Sequence, residues 1–187
     1  MGEYPPPGTE SQYTLDLILT ASNEPTSFFI DLSKGLRAVG TCHRASEGKA
    51  RLSLPSAKSC YPRSMFFERF YYSRATLEDV TQVLPCRIAS VIVGAIFCYR
   101  NGTRASLGWV ALNQLDAPVT VDTPGLWFLI TKFGPGFPKI TAICHSPPVT
   151  GGQEYFHVQW QGELEWWFSC RQCQLHHNGR QTPMTRM

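Results

Sequence analysis

The stretch VIVGAIFCYRNGTRASLGWVAL, residues 91–112, decides the fold. Two apolar runs flank Asn101-Gly102, the dipeptide that most favours a two-residue type I′ turn between twisted antiparallel strands. That register pairs Cys98 with Ala105, Ile96 with Leu107 and Gly94 with Trp109. It sets Phe97, Val93 and Val91 against Ser106, Val110 and Leu112 on the other face. Both faces are apolar, so the hairpin belongs in the middle of a sheet, and Gly94 leaves room for the Trp109 indole.

Working outward, further strands appear on both sides. Tyr13 to Thr20 reads as a strand, and Ser27–Leu32 with Leu36–Thr41 as a hairpin about Ser33-Lys34-Gly35. Lys49 to Leu54 alternates polar and apolar residues, as a half-buried strand does. Met65 to Tyr72 is helix or strand by its periodicity. Thr76-Leu77-Glu78-Asp79 has the look of a helix N-cap followed by acids, with Pro85 as its end. Leu126–Phe133 and Lys139–Cys144 are strands separated by a Gly- and Pro-rich turn. Glu154–Trp160 and Leu164–Cys170 form a last hairpin if Gln161-Gly162-Glu163 is its loop. Trp160 then meets Leu164, Val158 meets Trp166 and Phe156 meets Phe168 on one apolar face.

The predicted fold is mostly β, an antiparallel sandwich or rolled sheet of about ten short strands with one or two short helices near 63–84. Residues 1–12 form a disordered proline-rich head, 13–177 a single globular domain and 178–187 a flexible basic tail. The chain has 187 residues, 43% of them hydrophobic, enough for one sizeable core. No apolar run approaches a membrane span and no secretory signal opens the chain, so no membrane partner and an intracellular location, cytoplasmic or nuclear, are expected. The seven cysteines are an odd number without disulfide-scaffold spacing and read as reduced thiols. The sequon Asn101-Gly102-Thr103 reads as a turn.

Charge is unevenly spread. Nine basic residues and two acids lie between Lys34 and Arg74, whereas acids predominate from Ala105 to Cys170. The basic set Lys34, Arg37, Arg44, Lys49, Arg51, Arg63, Arg69 and Arg74, interleaved with aromatics over 65–72, suits a nucleic acid or an acidic protein surface. Twelve arginines against five lysines favour recognition by planar forks. No P-loop, dinucleotide fingerprint or nucleophile elbow occurs.

Two clusters carry chemistry. Cys170, Cys173, His176 and His177 bring two thiols and two imidazoles into eight residues, a pattern for a structural zinc completed by Cys144-His145 or Cys42-His43. Cys60, ahead of a segment that suits a helix, with His157 far downstream, offers a nucleophile and base of the papain kind. At Cys60-Tyr61 alone the chain resembles viral leader proteases, which place an aromatic after the nucleophilic cysteine; Pro62 stands where the helix would begin. The leading expectation is a non-enzymatic intracellular regulatory or adaptor protein, in the style of a virus-encoded accessory protein, with a structural zinc; the cysteine protease is the alternative.

Overall fold

The computed structural model describes residues 15–16, 28–31, 38–41, 51–52, 57–62, 68–132, 138–147 and 154–182. The chain divides into two compact units, residues 7–56 and residues 57–187 together with 1–6. The smaller unit contains β1 (Leu15–Asp16), β2 (Phe28–Asp31), β3 (Ala38–Thr41) and β4 (Arg51–Leu52). Its pairs are β1 with β4 and β2 with β3, both antiparallel. The β2–β3 hairpin is the one expected about Ser33-Lys34-Gly35.

The larger unit is a mostly β sandwich of two antiparallel sheets. Its strands are β5 (Tyr71–Thr76), β6 (Val80–Ile88), β7 (Val91–Tyr99), β8 (Arg104–Gly108), β9 (Val119–Thr120), β10 (Gly125–Lys132), β11 (Pro138–Cys144), β12 (Glu154–Gln159), β13 (Glu163–Phe168), β14 (Cys173–His177) and β15 (Arg180–Gln181). Seven strands form one sheet in the order β12-β10-β11-β7-β6-β9, with β8 also on β7. Four form the other, in the order β15-β14-β13-β5. Among the described residues no helix is long and apolar enough to cross a membrane.

The core lies between the sheets. Val83, Ile92, Ala95, Phe97, Leu107 and Phe128 of the large sheet and Ala75, Leu164, Trp166 and Leu175 of the small one are buried together. Phe128 and Trp166 meet edge to face, centroids 6.0 Å apart, the geometry that ring quadrupoles favour. β7 is buried continuously from Ile92 to Phe97, as expected of a central strand. Its outer face is crossed by the chain leaving β8: the Cys86 thiol bonds both the N–H and the carbonyl of Ala111, and Leu115 then bridges Cys86 from the far edge of β6. The Arg87 guanidinium fastens this return to Asp116 at 2.7 Å and to the Thr141 carbonyl at 2.9 Å.

Four expectations are corrected. The β7–β8 hairpin pairs Cys98 with Arg104, Phe97 with Ala105, Ala95 with Leu107 and Gly94 with Gly108, one residue from the expected register. Tyr99 and Thr103 close a three-residue loop, with the Gly102 N–H on the Tyr99 carbonyl and Gly102 at φ +84°. This is a type I turn followed by a left-handed bulge glycine. The shifted register gathers Ala95, Phe97 and Leu107, all fully buried, on the core face. Gly94 is therefore required by main chain, not by the Trp109 indole: a Cβ there would lie 2.2 Å from the Trp109 carbonyl oxygen.

The helix expected from Thr76 to Pro85 is strand. Asp79 turns the chain at φ +58°, and β6 then runs through Pro85. Pro85 is tolerated because its carbonyl, and hence its missing N–H, faces the loop edge, where Asp116 N–H bonds it at 2.8 Å. Of Met65–Tyr72, which suits helix or strand, Tyr71 and Tyr72 are strand in β5, and residues 65–67 lie outside the described residues.

β12 and β13 do not pair. β12 joins β10, while β13 lies between β5 and β14 in the other sheet, so residues 160–162 arch from sheet to sheet. Phe156, Val158, Leu164 and Trp166 do share one apolar environment, but across the core. Finally, residues 178–182 are sheet rather than tail. Asn178 and Gly179, at φ +48° and +74°, turn β14 back so that His177 pairs Arg180. Thr182 is buried and closes the edge by bonding the Leu175 N–H and carbonyl.

Candidate functional site

Two clefts on the larger unit bring polar side chains together. The first opens where the free edges of the two sheets meet. Leu77 N–H bonds Gly162 O, so by alternation Thr76 and Arg74 turn their main-chain groups away from β13, towards β8. Side chains bridge this seam: Ser73 Oγ accepts the Gly108 N–H at 2.8 Å and donates to Trp166 O, and Tyr99 OH donates to Thr76 O at 2.8 Å. Beyond the bridges lies a cleft of about 620 Å³ lined by Arg74, Arg100, Tyr99, Asn101, Glu78 and Asp79 among others. Both arginines are exposed. Neither guanidinium is ion-paired among the described residues, unlike Lys58 on Glu163, Arg87 on Asp116 and Lys132 on Glu154.

The second cleft lies on the outer face of the small sheet and measures about 530 Å³. Across the ladder, Arg74, Glu165, His176 and Gln181 stand in one row. Residues 57–62 strap over this row. The Ser59 N–H donates to Glu165 Oε2 at 3.0 Å, its hydroxyl donates to the same oxygen, and the Trp167 indole donates to Ser59 Oγ at 2.8 Å. Tyr61 stands edge-on to Phe70 and Trp167, each at 5.3 Å. Glu165 is only 4% exposed, a carboxylate kept buried by donors from the strap. Burial, with the Glu165 charge beside it, pushes the Tyr72 phenol up to about 12. His176 Nε2 is buried without a partner. Burial lowers the His176 pKa, opposed by Glu165, while the Lys58 ammonium holds Glu163 below its ordinary range.

The zinc candidates are distributed by strand geometry. Phe168 pairs Cys173 around a four-residue loop, whose turn is built by Ser169 Oγ accepting the N–H groups of Arg171 and Gln172. The C-x2-C spacing is thus the spacing of a hairpin end. Cys170 is exposed on the loop and Cys173 buried in the strand. Cys173, Leu175 and His177 face inward and His176 outward, because side chains alternate. Burial pushes the Cys173 thiol up to about 12, offset only in part by the Trp166 indole. His177 Nδ1 lies 3.1 Å from Glu163 O. Cys144 is half-buried at the end of β11 and His145 exposed. Among the described residues no three such groups converge to hold a metal ion; Cys42 and His43 lie outside them.

Cys60 lines the second cleft, but His157 does not. His157 is in the other sheet, stacked on Trp127 at 4.4 Å, and burial, then Arg180 and His177, lower its pKa. The imidazole sharing the cleft with Cys60 is that of His176. Of the basic candidates, Arg69 and Arg74 are exposed, Arg51 is in β4, and Lys34, Arg37, Arg44, Lys49 and Arg63 lie outside the described residues. Phe70 is fully buried, and Tyr72 packs on Trp167 at 4.7 Å. Sequence reasoning missed Arg100 and Ser59. The first sits in a loop read only as a turn, and the second reaches Glu165 through a contact spanning more than a hundred residues.

No family model, curated protein or solved structure matches the chain.

Proposed function

We propose that this is an intracellular regulatory or adaptor protein that recognises an acidic segment of a protein partner through the arginine cleft at the seam. The observation that carries the reading is the convergence of Arg74 and Arg100, exposed and without ion pairs among the described residues, on a single cleft. Guanidinium forks favour carboxylates and hold them in a defined orientation. Glu78 and Asp79 line the same cleft and offset its net potential, so selectivity rests on fork geometry more than on bulk charge. The aromatics that would stack on bases favour a protein partner over nucleic acid, since Phe70 is in the core and Tyr72 lies against Trp167. An intracellular setting is supported by six described cysteines that are all free.

The test is fluorescence anisotropy of the full chain with a labelled Glu/Asp-rich decapeptide, beside a single-stranded oligothymidine. Arg74→Glu with Arg100→Glu is expected to weaken peptide binding by about a hundredfold, as loss of two charge-assisted contacts requires. Tighter binding of the oligonucleotide, or peptide affinity unchanged in the double variant, would reject the reading.

A further inference from the structure

The outer-face cleft is separate from the arginine cleft and collects a different chemistry. Its strap presents an exposed free thiol, Cys60. His176 lines the same cleft, and its Nε2 is buried without a hydrogen-bond partner. The cross-strand neighbour of His176 is the buried Glu165, to which Ser59, the residue before the thiol, is bonded twice. The side chain of Gln181 lines the same space and supplies amide donors. A nucleophile, a base, a carboxylate beside the base and a donor for developing negative charge are the parts that acyl transfer needs.

We infer that this cleft is a thiol-dependent acyl-transfer site, going beyond the binding role, in which Cys60 attacks an acyl ester, His176 moves the proton and Glu165 is the positioning residue. The thiol gives its proton to the imidazole and its sulfur adds to the ester carbonyl carbon. The carbon–oxygen bond to the leaving group breaks, the alcohol departs with the proton from His176, and the acyl group stays on Cys60 as a thioester. Water, giving a proton to the same imidazole, then displaces the acyl group as a carboxylic acid and restores the thiol. Thiol and imidazole share the cleft, and catalytic contacts are commonly long in the absence of substrate.

Cys170 provides an internal control, being equally exposed but on the β13–β14 loop, outside this cleft. The full chain is treated with iodoacetamide and, separately, p-nitrophenyl acetate, and each cysteine is followed by peptide mass mapping. Cys60 is expected to react at least about tenfold faster than Cys170, because an imidazole in the same cleft can take up the thiol proton as the sulfur attacks. His176→Gln should bring Cys60 to parity while the Cys170 rate stays the same, and Cys60→Ser should abolish p-nitrophenol turnover above the Cys170 background. Glu165→Gln, which keeps an acceptor for Ser59, should slow Cys60 alkylation while the Cys170 rate stays the same, and Glu165→Asp should restore part of the lost rate, a rescue that a merely structural side chain would not give. Labelling of the buried Cys173 would reveal unfolding of a variant, in which case the wild-type rate ratio and Glu165→Gln decide. Equal reactivity of Cys60 and Cys170 in the wild-type chain, or a preference that survives in folded His176→Gln, would overturn the inference.

Discussion

The chain contains two Asn-Gly hairpin ends, and they do opposite things with the same dipeptide. Asn178-Gly179 forms a two-residue turn with both residues at positive φ, the type I′ geometry. At Asn101-Gly102 only the glycine has positive φ, and the loop takes in Arg100 as a third residue. The side chains differ accordingly: Asn101 Oδ1 accepts the Thr103 N–H at 3.0 Å and its hydroxyl at 2.7 Å, whereas the Asn178 amide lies 3.2 Å from His177 Nε2. A dipeptide announces a turn, but the strands on either side choose its length. In the first hairpin that choice is made at the other end, where Gly94 and Gly108 let two main chains cross.

The largest expected effect therefore falls far from either turn. Gly94→Ala should destabilise the protein by roughly 3 kcal/mol or more in chemical denaturation, since the atoms closest to a Cβ placed there are all main chain. A loss below about 1 kcal/mol would return the register to the control of the turn. Next comes Asn178→Ala, expected to cost about 1–2 kcal/mol by forcing alanine into the left-handed region. Asn101→Ala, whose φ is not positive, should cost about 0.5–1 kcal/mol through its lost hydrogen bonds to Thr103. The smallest effect is expected from deleting Arg100, which leaves a two-residue Asn-Gly loop between the same Tyr99–Thr103 pair and should change stability by only about 0.5 kcal/mol. It should nonetheless weaken binding of the acidic peptide. A larger loss of stability would mean that the three-residue loop is itself required.

Acid also separates the two hairpins. The His176 pKa is lowered in the folded state by burial, so the unfolded chain binds more protons as pH falls through the ordinary histidine range. The associated stability is present above about pH 6.5 and lost below it. Hydrogen exchange at pH 7 and pH 5.5, corrected for intrinsic rates, should show protection falling in residues 173–181 and holding in residues 91–108, which contain no histidine. Equal loss in both would show that the effect is not local to His176.

The fold class was legible because alternation and turn residues are local signals. β10 with β11 and β2 with β3 follow from two apolar runs and the glycine between them. What alternation cannot convey is whether two apolar faces lie side by side in one sheet or opposite each other across a core. Phe156, Val158, Leu164 and Trp166 satisfy both arrangements, which is why the arch at residues 160–162 read as a hairpin. The helix at Thr76 failed for a related reason: a cap motif is a local preference, and the burial of Leu77, Val80 and Val83 outweighs it. For the sites, Arg74, Cys60 and His176 were visible as residue types. Which residues become their neighbours was not, because that is decided by pairing and packing over long separations.

The pairing of β5 with β13 has a consequence for how the domain is made. The small sheet takes one strand from residues 71–76 and the other three from 163–181, so its first strand has no partner in the sheet until residues 163–168 have been synthesised. Such separations slow folding, since the loop must close before any contact rewards it. A ribosome-bound chain ending before residue 163 would carry Leu77, Ala75 and the inner face of the large sheet open to solvent. Residues 163–181 thus act as the closing piece of the domain, and the delay before they arrive sets an interval during which the nascent chain depends on protection from aggregation.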